Sequence, residues 1–180
     1  FLNMQNILPF VRFIVPALLL CHIVQSLILN DVQNYQLITT LGFVSSKFTT
    51  DFSALALITP LTYMFLHGDW MHLLVNTFML GALGTAFERA LGTKKTFMFF
   101  IISGLGGAAL HFAINPYTAT PVIGASGAVS GFFAAFLLMA YWRGMMPLPP
   151  KLARYGIWPL IAIWLFLIVG IGMLLGGGLL

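Results

Sequence analysis

Residues 122–142 read VIGASGAVSGFFAAFLLMAYW, an uncharged run whose first half places Ser126 and Ser130 among Gly124, Gly127 and Gly131. A helix that crosses a bilayer needs about 20 mostly apolar residues, and this run supplies one over 124–142. Four more stretches qualify by the same measure: 11–29, 71–88, 95–114 and 156–176. The chain of 180 residues is 60% hydrophobic and 7% charged, with a mean hydropathy of +1.00. A soluble domain carries about 25% charged residues, so so few charges cannot dress a water-facing surface. The expected fold class is an all-α polytopic membrane protein, a helical bundle forming one membrane domain over 1–180.

Charge, proline and glycine bound the spans. ERALGTKK (88–95) separates the second from the third, and INPYTATP (114–121) the third from the fourth. The prolines of WRGMMPLPPKLARYG (142–156) forbid a continuous helix from the fourth to the fifth. Residues 30–70 are half-apolar and too broken to span. They are expected to form an ordered, membrane-associated loop with short interfacial helices, and a loop of that length tends to be functional.

Basic residues orient the chain. Arg12, the loop with Arg89, Lys94 and Lys95, and the loop with Arg143, Lys151 and Arg154 all fall on one side of a five-span arrangement. The other side holds Lys47 with Asp31, Asp51 and Asp69. The N-terminus is therefore expected to be cytoplasmic and the 30–70 loop external. The net charge of +4 forms no basic stripe with interleaved aromatics, so nucleic acid is not an expected partner. Cys21 is a lone cysteine in an apolar run; it permits no internal disulfide or thiolate metal cluster and reads as packing.

Polar groups at membrane depth are expensive and ask for a reason. The densest cluster is FLHGDWMHLLVNTFML, with His67, Asp69, His72 and Asn76. His72 and Asn76 are four apart and share a helix face. Each residue has a structural reading: His67 as a loop-surface residue, His72 as an interfacial one, Asn76 as interhelical glue, Asp69 as a helix N-cap. Ser126, Ser130, Gly127 and Gly131 together read as a small-residue packing face, and Ser130 has no other reading. Yet Ser126 opens the fourth span at the same end where His72 and Asn76 open the second. Acyl transfer needs a nucleophile, a base and donors for the oxyanion. Ser126 with its helix-start amide, His72 and Asn76 supply the first and the last of these.

These residues resemble the rhomboid family of intramembrane serine proteases. The resemblance runs through HGDWMHLLVN (67–76), ERALG (88–92) and GASGAVSG (124–131), and covers about residues 10–176. It implies a rhomboid-like bundle of six helices, of which five are visible, and cleavage of transmembrane protein substrates near their external ends. It further implies a Ser–His dyad with no metal and no cofactor. Ser126 would be the nucleophile, and His72, Asn76 and the Ser126 amide the oxyanion hole. Gly124, Gly127 and Gly131 would be motif or structural positions, His67 a structural or water-retaining residue, and Glu88 a tie between loops, or else a solvated charge.

Two departures stand out. The 30–66 loop lacks the Trp-Arg pair often found in the family, and no histidine follows His111, whereas the family's base lies on a sixth helix. His111 reads as an interfacial histidine at a helix end. The expectation is a chain cut short at both ends, whose base lies beyond Leu180 on a helix packed against Gly127 and Gly131, and which is inactive as it stands. A non-cleaving rhomboid-like protein that binds membrane clients is the alternative. A compact chain with basic residues inside favours a bacterial cytoplasmic membrane.

Overall fold

The computed structural model describes residues 8–143, 154–164 and 166. Three of its helices are long and apolar enough to cross a membrane: Pro9–Ile28, Trp70–Leu91 and Thr93–Ile114. The first comprises α1 (Pro9–Ile23), started by a proline in its first turn, and a wider π-helical turn, Val24–Ile28. The loop expected over 30–70 is ordered into short elements. α2 (Asp31–Leu41) is started by a reciprocal capping box, in which Asn30 accepts the Gln33 amide and Gln33 accepts the Asn30 amide. α3 (Ser46–Thr49), a 3₁₀ turn Ala54–Ile58, α4 (Thr59–Thr62) and a second 3₁₀ turn Tyr63–Phe65 follow.

α5 (Trp70–Leu91) runs through ERAL and stops at Gly92, whose φ of 84° lies where a side chain is strained. α6 (Thr93–Ile114) starts at once on the other side of that glycine. Residues 158–164 of the expected fifth span are helical, and residues 165 and 167–176 lie outside the described residues.

The fourth span differs from expectation at its start. α7 is Ser126–Trp142, 17 residues, so Gly124 and Ala125 are not helical. The reason lies in the preceding loop. Val122 exchanges two backbone hydrogen bonds with Phe43 (2.9 and 2.8 Å), and the Gly124 amide donates to the Tyr63 carbonyl at 2.9 Å. These tertiary bonds hold 122–124 extended, and Gly124 takes a φ of 113°. At 1.5 Å per residue α7 is about 25 Å long, against about 33 Å for α5, and its first residue is half-buried.

α1 packs along α5, and α6 against α7 over the broadest contact in the bundle. Gly127 and Gly131 make that second contact close. A Cβ on Gly127 would lie 3.3 Å from the Gly107 Cα, and one on Gly131 would lie 2.3 and 2.5 Å from the Ser103 Oγ and Cβ. Within the described residues the small-residue face meets α6. α6 carries its own glycines at 104, 106 and 107 and offers the matching surface.

The end of the bundle where α1 begins is filled by aromatic rings. Phe10, Phe87, Phe100 and Phe132 are all buried, with edge contacts of 4.9 Å between Phe87 and Phe132 and 5.9 Å between Phe10 and Phe100. Glu88 sits beside them and is only 4% exposed, which overturns its reading as a solvated charge. Its carboxylate accepts the Phe10 amide at 2.9 and 3.0 Å and the Thr93 hydroxyl. A negative group thus serves the first turn of α1 across 78 residues, where helix amides lack partners.

Gly131→Ala is expected to lower stability by about 1–3 kcal/mol, the usual cost of overpacking a filled contact. Adding Ser103→Gly should recover most of it. Thermal unfolding in detergent measures both, and a parental midpoint for Gly131→Ala would refute the close contact.

Candidate active site

The opposite end of the bundle is polar. Asp69 caps α5, its carboxylate accepting the His72 amide at 2.8 Å, as the sequence suggested. That cap begins the helix at Trp70 and so sets His72 in its first turn and Asn76 one turn further on. Asn76 is 2% exposed, and its Nδ2 has no hydrogen-bond partner among the described residues. A buried carboxamide holding unused donors is costly, and this one faces the approach to α7.

Gly124 is where the two elements meet. A Cβ added there would lie 2.6 Å from His72 Cε1, 2.7 Å from His72 Nε2 and 3.7 Å from Asn76 Nδ2. The imidazole occupies the space that any side chain at 124 would need. Two residues on, Ser126 is half-buried and is the first residue of α7. The first bond of this helix runs from Val129 to the Ala125 carbonyl at 2.9 Å, and Ala125 supplies no side-chain cap. The amides of the first turn thus point out of the helix without helical partners. Ser130 turns its hydroxyl back onto the Ser126 carbonyl at 2.8 Å, in keeping with its packing role. The structure therefore brings His72, Asn76, Gly124 and Ser126 to one place, while Glu88 lies at the far end.

His67 is 1% exposed and not on the loop surface. Its ring meets His72 edge-on at 5.2 Å and His22 at 6.4 Å, and His22 in turn meets Trp70 at 4.7 Å. Burial, reinforced by the neighbouring His72 imidazole, holds His67 down to about 3, so it is neutral at ordinary pH. His111 packs edge-on against Phe43 at 6.2 Å.

Three residues at this end escape a motif-based reading: His22, Gln25 and Tyr63. All three are buried. Gln25 accepts the His67 amide at 3.1 Å and donates to the His67 carbonyl and to Asn34 Oδ1, both at 3.3 Å. Tyr63 holds Gly124 through its carbonyl and donates its hydroxyl to the Gly104 carbonyl at 2.7 Å. The hydroxyl also lies 3.0 Å from where a Gly127 Cβ would be. A histidine and a glutamine at the end of an apolar span are the signal that would have flagged α1.

The arrangement sets the half-buried Ser126 two residues from a glycine that rests on His72 and lies near Asn76 Nδ2, which has no hydrogen-bond partner among the described residues. Among the described residues there is no cluster of three or more His, Cys, Asp or Glu able to hold a metal ion.

The Rhomboid domain family model matches residues 54–178. Three curated relatives align over part of the chain. Rhomboid protease GluP of Bacillus subtilis (strain 168) is 37% identical over 84 residues, 47% of this chain and 15% of that protein. Rhomboid-like protease 5 of Toxoplasma gondii is 38% identical over 81 residues, 44% of this chain and 9% of that one. Rhomboid-like protein 11, chloroplastic, of Arabidopsis thaliana is 33% identical over 88 residues, 47% of this chain and 31% of that one. The aligned part thus spans less than a third of each of these relatives.

The depressed His67 value has a consequence for stability. Between about pH 6.5 and about pH 3 the unfolded imidazole takes up a proton that the folded one refuses, so stability is full above this window and falls on acidification through it. His67→Gln should flatten this part of the curve. Thermal midpoints of parent and variant from pH 7 to pH 4 compare the two slopes, and identical slopes would refute a neutral buried His67.

Proposed function

The chain belongs to the rhomboid family, and on that premise we propose that it forms the nucleophile and oxyanion side of an intramembrane serine endopeptidase acting on transmembrane protein substrates. The observation that carries the reading is the buried Asn76 Nδ2 beside His72, without a hydrogen-bond partner among the described residues, both against Gly124, two residues before Ser126. A satisfied structural cluster would leave no donors waiting.

In this reading a substrate helix unwinds near its end and presents a carbonyl to Ser126. The Ser126 Oγ bonds to the carbonyl carbon while its proton passes to a histidine base. None of His22, His67, His72 and His111 is assigned that role. His22 and His67 pack with Trp70 and His72, His72 is a donor, and His111 rests on Phe43. We place the base on a histidine outside these 180 residues, as the family resemblance implies. The developing oxyanion takes hydrogen bonds from Asn76, His72 and the Ser126 amide. The protonated amine leaves, and water cleaves the acyl-serine ester, returning the proton and the hydroxyl. Gly124 keeps the oxyanion space open, and the neutral His67 buttresses His72.

Apolar helices and family membership make this an integral membrane protein. The basic residues support a cytoplasmic N-terminus and a site opening to the external face, in a bacterial cytoplasmic membrane.

A fluorophosphonate probe on the complete protein tests the reading. Labelling is expected in the parent, absent in Ser126→Ala, and slowed about 10²–10³-fold in Asn76→Ala, the range for loss of one oxyanion donor. A folded parent that takes no label would instead support a client-binding protein without protease activity.

A further inference from the structure

A backbone amide and a buried side chain hold a single short stretch of chain at its two ends, and that stretch leads to both helix starts of the proposed site. The stretch is Tyr63–His67. At its first residue the Tyr63 carbonyl holds the Gly124 amide at 2.9 Å, two residues before Ser126. At its last residue the Gln25 carboxamide pairs with both backbone groups of His67, at 3.1 and 3.3 Å, as a neighbouring strand would. Two residues later Asp69 caps α5 and positions His72. The same five residues thus join the serine's helix start to the donors' helix start.

Gln25 is 2% exposed and all its hydrogen-bonding atoms in this contact are used. It lies within the π-helical turn Val24–Ile28, on the buried face that also carries Phe10, Ile14, Leu18 and His22. Such turns insert a residue into the helical register and frequently accompany functional sites. A carboxamide at the end of an apolar span is expensive unless fully paired. A leucine would serve α1 packing at lower cost, so the polar group has a task that packing does not explain. Gln25 touches neither Ser126 nor Asn76 and acts through the backbone of His67.

We infer that Gln25 is a positioning residue: through the His67 backbone it sets the spacing between the His72–Asn76 donors and the Gly124–Ser126 segment. The inference rests on the protease reading of that site. Displacing His67 tilts the ring that meets His72 at 5.2 Å and drags the Tyr63 carbonyl that holds Gly124. Small displacements of this kind cost rate more than binding.

The test uses the complete protein and a fluorophosphonate probe, separating the maximal labelling rate from the half-saturating probe concentration. Gln25→Met keeps volume and removes the pairing. It is expected to lower the maximal rate about tenfold, with half-saturation unchanged and the thermal midpoint above the assay temperature. Gln25→Glu retains the acceptor for the His67 amide and loses the donor to its carbonyl; a smaller fall is expected, and this variant stands as the test if Gln25→Met does not fold. A folded variant whose maximal rate stays within about twofold of the parent overturns the inference, as does a change confined to half-saturation. A parent that takes no label overturns the protease reading and this inference with it. A labelled parent beside an equally labelled Gln25→Met overturns this inference alone.

Discussion

The Gly124 amide donates to the Tyr63 carbonyl at 2.9 Å, and through that bond the 30–70 loop carries the start of α7. The bond forces residues 122–124 to stay extended, so the helix begins at Ser126 and not two residues earlier. It also draws Gly124 against the His72 imidazole, to a distance that no residue with a Cβ could accept. The start of α7 and the His72 and Asn76 side chains of α5 then meet at Gly124. In an apolar bundle this contact costs little, because the backbone groups involved would otherwise be buried without partners.

The two ends of the bundle solve the polar problem in opposite ways. Around Phe10, Phe87, Phe100 and Phe132 the rings exclude water, and the single carboxylate of Glu88 is satisfied by the α1 amide and the Thr93 hydroxyl. That end is closed chemistry, and it anchors α1 to α5. At the other end Asn76 keeps unused donors, and His22 and His67 stand as buried imidazoles whose ring nitrogens have no partner among the described residues. Uncompensated groups persist where a fold is held in place by something stronger. Here the α6–α7 glycine contact and the aromatic end provide that hold, and the polar end bears the cost, as functional sites commonly do.

Much of the site was legible because its chemistry is written in residue types that a bilayer penalises. His72 and Asn76 stood out at helical spacing, and Ser126 stood out among glycines at a span's start. Asp69 was legible as a cap because its position before Trp70 needs nothing beyond local geometry. Glu88, His67 and Asn76 each kept a bland reading open, since burial depends on what the rest of the chain places over them. The contact of Gly127 and Gly131 with α6 was not legible for a similar reason: a small-residue face states that something packs closely but does not say what. Gln25 and Tyr63 were missed altogether: only its polarity at the end of an apolar span marks Gln25, and the backbone groups that both of them engage carry no sequence signature.

Composition and hydropathy alone determined that this chain is a bundle of apolar helices, because a backbone in lipid must be paired within a helix or a closed barrel and continuous apolar runs of about 20 residues fit the helix. The sequence also determined where most of those helices stop, through Gly92 with the charges beside it and through the prolines of 114–121 and 142–156. Tertiary structure decided that α7 starts at Ser126, that its glycines meet α6, and that Gly124 rests on His72. Those outcomes turn on hydrogen bonds between segments some 60 to 80 residues apart, such as Tyr63 to Gly124 and Phe43 to Val122. Local propensity has no term for such bonds, so only the folded chain could reveal them.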